Sequence, residues 1–255
     1  MNSDRKNART EQIAGASPRH LARIAGGFYL FEFVAGLLAA VFIPGLVSGD
    51  AATLAANIQT HQASFWLGFA FFLLVIMAYI VVVALFYQLF QVVNRSLALL
   101  ATCFILVALA VQAVAGVFLL APLVLLGGGQ HVSAFTGAQL QALVYTCVKL
   151  YGQCFHIALA INAWFCLLYG YLLFKSTFVP KVLGVLFALA GVALLTFLYM
   201  PLASSLIPYN LAVDALGELA LTLWLLVMEV NVARWKEQAS AARTLNQSVP
   251  GRVAV

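Results

Sequence analysis

Six stretches of this chain, about Ile24 to Ile43, Phe65 to Phe90, Leu97 to Leu126, Gly152 to Phe174, Val182 to Met200 and Leu211 to Val230, are almost continuously apolar. Each is long enough for a helix rising about 1.5 Å per residue to cross a hydrocarbon core of about 30 Å. One water-soluble core cannot hide six such runs. The chain is 64% hydrophobic and 8% charged, where a soluble domain carries about half and about a quarter. That composition also excludes disorder, and four cysteines in 255 residues do not make a disulfide scaffold. The runs lack the two-residue alternation of barrel strands, so they are read as helices. The expected fold is all-α, a polytopic membrane bundle of six transmembrane helices. The third run is longer than a span needs, and is predicted to tilt or project until Pro122 and Gly127-Gly128-Gly129 end it.

Orientation follows from the basic residues. Arg5, Lys6, Arg9, Arg19 and Arg23 precede the first run, Arg95 separates the second and third, and Lys175 and Lys181 bracket the turn between the fourth and fifth. Arg234, Lys236, Arg243 and Arg252 follow the sixth. With six spans these fall on one side and only Lys149 on the other, so the positive-inside rule predicts both termini in the cytoplasm. The net charge of +5 then reports orientation and is no footprint for nucleic acid. The predicted domains are a disordered basic tail over residues 1–23, a six-helix transmembrane domain over 24–232, and a disordered tail over 233–255. The first run reads as an uncleaved signal anchor.

The side opposite the basic residues carries the longer connections. Ser48, Gly49 and Asp50 offer cap chemistry for a short Ala-rich helix through Thr53, Ala56 and Ile58. Leu140, Leu143, Val144, Cys147, Val148 and Tyr151 recur at helical spacing. They predict an amphipathic helix on the outer face before span four, lying on the interface or over the bundle mouth.

Ionisable groups inside spans cost about 2.5–3.5 kcal/mol at the bilayer centre and mark site hypotheses. Glu32 is the deepest, and Asn162 of span four reaches a similar depth. A second group comprises Gln112, Gln153 and His156 with Asp214 and Glu218, the last two sharing a helix face. The candidate polar site is therefore Glu218, Glu32, His156, Gln112 and Asn162, with Lys149 and Asp214 at its rim. In one reading Glu218 or Glu32 takes up a proton or cation while His156 titrates nearby. In the other, Lys149 pairs with Asp214 or Glu218, Glu32 bonds to Asn162, and His156 is an interhelical donor.

Other chemistry is weakly signalled. Cys103, Cys147, Cys154 and Cys166 include no Cys-x-x-Cys, and Cys147 and Cys154 on one helix would sit about 10 Å apart, too far for a disulfide. Of the four histidines only His156 lies in a span, so a bis-histidine haem is not expected. His61 and His131 in outer loops lack a metal-ligand spacing. No nucleophile elbow, zinc-protease motif or nucleotide-binding glycine pattern occurs. The expectation is a protein without enzyme activity, metal or cofactor. The small residues Ala35, Gly36 and Ala40, and Gly184, Ala188 and Gly191, would allow close helix approach. They choose no oligomeric state.

Several blocks in order carry a family likeness. They begin with Ala22-Arg23-Ile24-Ala25-Gly26-Gly27-Phe28-Tyr29-Leu30, Ser48-Gly49-Asp50-Ala51-Ala52-Thr53 and Val93-Asn94-Arg95-Ser96-Leu97. Gly170-Tyr171-Leu172-Leu173-Phe174-Lys175-Ser176, Pro180-Lys181-Val182-Leu183-Gly184 and Gly217-Glu218-Leu219-Ala220-Leu221-Thr222-Leu223-Trp224 follow. From about Ala22 to Val232 the chain resembles the bacterial membrane proteins grouped as domain of unknown function 4386. The resemblance implies a multi-helix inner-membrane protein and no established activity. It places Glu218 inside a family-like block and Glu32 where the pattern is usually apolar. It also sets Trp66 where an Arg is common and Phe165 where a His is common, which implies a weakened shared polar mechanism. The functional expectation is an accessory or small-molecule-sensing membrane component whose partners are the bilayer and an unidentified small molecule or ion. The alternative is a small transporter or channel with an outward-opening site around Glu218, and a membrane-embedded enzyme ranks last.

Overall fold

The computed structural model describes residues 17–228 and 230–247. The outer parts of both expected tails, residues 1–16 and 248–255, lie outside the described residues. Among the described residues there is no strand, and the chain is nine α-helices: α1 (Pro18–Leu46), α2 (Ala51–Thr60), α3 (Gln62–Phe90), α4 (Arg95–Leu126), α5 (Gly137–Lys175), α6 (Lys181–Leu195), α7 (Met200–Leu206), α8 (Tyr209–Val227) and α9 (Val232–Gln247). Six are long and apolar enough to cross a membrane: α1, α3, α4, α5, α8, and α6 with the 3-10 turn that extends it to Leu198. Large apolar side chains such as Val41, Met77, Val117, Val182 and Val192 face outward, as expected where the surroundings are lipid.

The six long helices close a ring in the order α1, α3, α4, α5, α6, α8 and back to α1. The tightest crossing is α5 on α6. A Cβ on Gly184 would sit 2.5 Å from the Phe174 backbone nitrogen, and one on Gly191 would sit 2.9 Å from the Ala163 carbonyl oxygen. The small-residue stripe noted in span five thus sets how closely these helices approach.

Side-chain caps open α2, α4 and α5, the first of them at the position expected from the sequence. The Asp50 carboxylate accepts the Thr53 N–H at 2.8 Å to cap α2. The Asn94 side chain does the same for Leu97 at 3.0 Å in the turn before α4. Thr136 and Gln139 form a reciprocal capping box at the start of α5.

Two expectations need correction. The amphipathic segment before span four is not a separate helix: no proline interrupts residues 137–175 and the isolated Gly152 at the junction does not break the turn, so it continues into the span as the single 39-residue α5. At about 1.5 Å per residue this helix is nearly twice the hydrocarbon thickness, and its first turns bury Val144 and Val148 and pack beside α2. Second, both tails expected to be disordered are helical in their inner parts: residues 18–23 are the first turns of α1, which Pro18 opens at a position suited to proline, and the tail from residue 233 forms α9. The Trp235 indole N–H donates to the Leu89 carbonyl at 3.0 Å, and Gln238 accepts from the Thr177 N–H and hydroxyl at 3.1 and 3.0 Å. Arg234 donates to the Thr177 carbonyl. These bonds gather the end of α3, the α5–α6 turn and α9 at one end of the ring, with Lys175, Lys181, Arg234 and Lys236. That end is the basic end of the bundle.

Candidate functional site: a carboxyl-lined cavity

Five of the six ring helices turn a stripe toward one interior cavity of about 580 Å³. On α1 the stripe runs Glu32, Gly36, Ala39, Ala40, Ile43, Pro44, Val47, and on α5 it runs Tyr151, Phe155, Ala158, Leu159, Asn162. The spacing of three and four is that of one helix face. Helix α4 adds Ile105, Ala108, Leu109 and Gln112, α8 adds Leu211, Asp214, Ala215 and Glu218, and α3 adds Phe72, Val75 and Tyr79. Helix α6 contributes nothing. The cavity therefore extends from mid-bundle, at Glu32 and Glu218, to Val47, the residue that ends α1 at the end opposite the basic one.

Its polar content is concentrated and acidic. The Tyr79 hydroxyl donates to Glu218 Oε1 at 3.1 Å. Tyr29 stacks on Tyr79 with ring centroids 5.6 Å apart, close to the same carboxyl group. Glu32 and Asp214 lie near enough to Glu218 to interact with it electrostatically. Glu32 Oε2 and Asp214 Oδ1 are buried with no hydrogen-bond partner among the described residues. Among the described residues no lysine, arginine or histidine lines the cavity. Pro44 adds backbone polarity, because a proline has no N–H to give the Ala40 carbonyl, and both residues are on the lining.

Toward the basic end the interior is solid. Tyr29, Phe86, Phe90, Phe165, Tyr169 and Phe187 are fully buried. Their rings pass from one to the next: Tyr79 to Phe165 at 6.1 Å, Phe165 to Tyr169 at 4.7 Å, Tyr169 to Phe90 at 5.8 Å and Phe90 to Phe178 at 5.5 Å. This aromatic column closes the cavity below the carboxyl groups.

Of the residues singled out in the sequence, Glu218, Glu32, Gln112, Asn162 and Asp214 meet at this one cavity. His156 does not. It stacks on Phe197 at 5.3 Å, and six residues from Asn162 along α5 it points about 120° away from the cavity stripe. Lys149 is exposed, its ammonium 5.0 Å from the Tyr145 ring centre, so it is paired with neither Asp214 nor Glu218. Gln153 is also exposed. Asn162 accepts from the Cys166 thiol at 4.0 Å, so the expected bond from Glu32 to Asn162 is not made. Cys103, Cys147, Cys154 and Cys166 are free thiols. Sequence reading missed Tyr79 and Tyr29. The available signal was a hydroxyl-bearing ring in the middle of an apolar span, a group that needs a partner when buried.

The fold and the cavity define a class: a six-helix membrane protein whose helix ring holds a hollow with three carboxyl groups on its wall. The family model described as "Domain of unknown function (DUF4386)" matches residues 24–228, and the chain belongs to that family. No curated protein and no solved structure matches the chain.

Proposed function

We propose that this protein is a multi-pass protein of the bacterial inner membrane that binds a small molecule in the carboxyl-lined cavity, as an accessory or sensing component. Both termini are assigned to the cytoplasm, so the cavity is entered from the extracytoplasmic side. The observation that carries the reading is a hollow on whose otherwise apolar wall polar groups from five helices meet, namely Glu32, Tyr79, Gln112, Asn162, Asp214 and Glu218. This is the usual anatomy of a small-molecule site. A path blocked by fully buried aromatic rings supports binding over an open channel. A carrier is the second reading, favoured by the position of the acids at mid-bundle, and it requires the aromatic column to part during each cycle.

The test is a thermal-shift screen of the full-length protein in detergent. Ligands that raise the melting temperature of the wild type and leave Gly36→Leu unmoved support cavity binding. Gly36 is suited to this because a Cβ there meets nothing closer than Val75 Cγ2 at 3.8 Å, so the larger side chain enters the hollow. A screen without any such ligand refutes the reading. Uptake into proteoliposomes separates carrier from receptor. Reporter fusions after Val47 and Val230 test the assignment of sides, and periplasmic activity of the second overturns it.

A further inference from the structure

The cavity's chemistry narrows what it takes, and this step rests on the binding reading above. Three carboxyl groups, Glu32, Asp214 and Glu218, share the lining with no cationic side chain. The hydrogen-bond donor that Glu218 receives is neutral, the Tyr79 hydroxyl. One oxygen each of Glu32 and Asp214 has no partner among the described residues, although an unpaired buried acceptor costs about 1–3 kcal/mol. A structural cluster of acids would be expected to carry its own counter-charge, and the one lysine in the same half of the bundle, Lys149, lies over Tyr145 instead. The positive charge this site suits is therefore supplied from outside.

The geometry also bears on the size of that cation. Among the described residues no three His, Cys, Asp or Glu side chains come close enough to hold one metal ion, so the carboxyl groups do not form a cage for a bare ion. The rest of the wall is apolar and aromatic. Phe72, Tyr151 and Phe155 stand on it, and ring faces attract an organic cation by their quadrupole.

We infer that the ligand is an amphipathic organic cation, an amine or onium centre carried on an apolar body. Its charge rests among Glu32, Asp214 and Glu218, and its body lies along the small-residue wall of α1 and the aromatic residues of α3 and α5. Gln112 and Asn162 supply neutral hydrogen-bonding groups beside it.

The test uses a pair of probes of matched shape and opposite charge, tetraphenylphosphonium and tetraphenylborate, in equilibrium dialysis against the full-length protein in detergent. The wild type is expected to retain the phosphonium and to bind the borate at least about tenfold more weakly, the ratio that a difference of 1.4 kcal/mol produces. Glu218→Gln, which keeps a side chain able to accept from Tyr79, is expected to weaken phosphonium binding by about tenfold or more, since hydrogen-bonded charge contacts contribute about 1.5–3 kcal/mol. Asp214→Asn makes the same measurement if Glu218→Gln does not elute as a folded species. Gly36→Leu is expected to remove binding of either probe. Equal retention of borate and phosphonium, both lost in Gly36→Leu, would overturn the cation inference and leave the binding reading standing. Phosphonium binding unaffected by Glu218→Gln and Asp214→Asn also overturns it. Retention that is unchanged in Gly36→Leu, or absent for both probes, overturns the inference and counts against the cavity as a binding site.

Discussion

The interior of the ring has two halves that are filled in opposite ways. Toward the basic end, Tyr29, Phe86, Phe90 and Tyr169 meet ring to ring and are shielded completely. Toward the other end the corresponding faces carry Gly36, Ala39 and Ala40 on α1, Ala108 on α4, Ala158 on α5 and Ala215 on α8, and a hollow remains. The hollow thus comes from side-chain volume on the same ring of helices. Polar groups follow the same division, with the carboxyl groups collected where the space is. The two halves therefore differ in energy: the first gains the packing of rings from α1, α3, α5 and α6, and the second gives up packing along its small-residue walls.

The largest effect belongs to the packed half. Phe86→Ala is expected to cost about 3–5 kcal/mol, the range for truncating a fully enclosed aromatic, read as a lowered melting temperature in detergent. A cost below about 1 kcal/mol would mean that the column relaxes freely and that the two halves do not differ in kind.

Next is Gly184→Ala. Its added methyl meets the backbone of α5 on two sides, so the two helices must separate, at about 1–3 kcal/mol. Gly27→Ala is the control, because a Cβ there has nothing within 4 Å. The substitution is expected to be neutral or stabilising by about 0.5–1 kcal/mol. Equal effects at the two positions would remove the α5–α6 contact as the element that holds α6 to the ring wall.

Much of this was legible in the sequence. Six spans follow from run length and rise, and the cap at Asp50 follows from residue type. Glu32, Asp214 and Glu218 stood out because charge in a span is costly. Which polar residues share one space was only partly legible. His156 and Asn162 both lie in span four, yet a turn of about 120° separates them, and the stripe that decides between them becomes visible only once Tyr151, Phe155, Ala158, Leu159 and Asn162 are seen facing one hollow. The aromatic column was not legible, because it joins rings from α1, α3, α5 and α6 that composition cannot pair. Helix α9 was concealed by its polarity. Trp235, one large aromatic in a polar segment, was the available clue.

That tryptophan gives the third prediction. Trp235→Phe keeps an aromatic ring and removes the N–H that reaches the Leu89 carbonyl, at an expected cost of about 0.5–1.5 kcal/mol. Hydrogen exchange is expected to rise over residues 232–247 and at the end of α3, with the cavity-lining segments unchanged. Loosening that spread to α8 around Glu218 would show that the basic end and the cavity are coupled, and would break the separation of the halves.

The smallest effect lies at the opposite rim and is confined to α2. The Thr53 backbone N–H bonds to Asp50 and holds its carboxyl below the usual carboxylate range. A group that binds its proton less readily when folded than when unfolded stabilises the fold fully above its unfolded pKa, and that contribution is lost as pH falls through the lower folded value. Exchange protection over residues 51–60, corrected for the intrinsic pH dependence of exchange, is therefore expected to be constant at neutral pH and to decline on acidification through and below the carboxylate range. Asp50→Asn keeps a capping oxygen and should abolish the decline, whereas Asp50→Ala should lower protection at every pH. A decline that persists in Asp50→Asn would assign the pH response to another group and detach the rim helix from its cap. Protection at the aromatic column that followed the same acid curve would show that the rim and the packed half unfold together, against the division drawn between them.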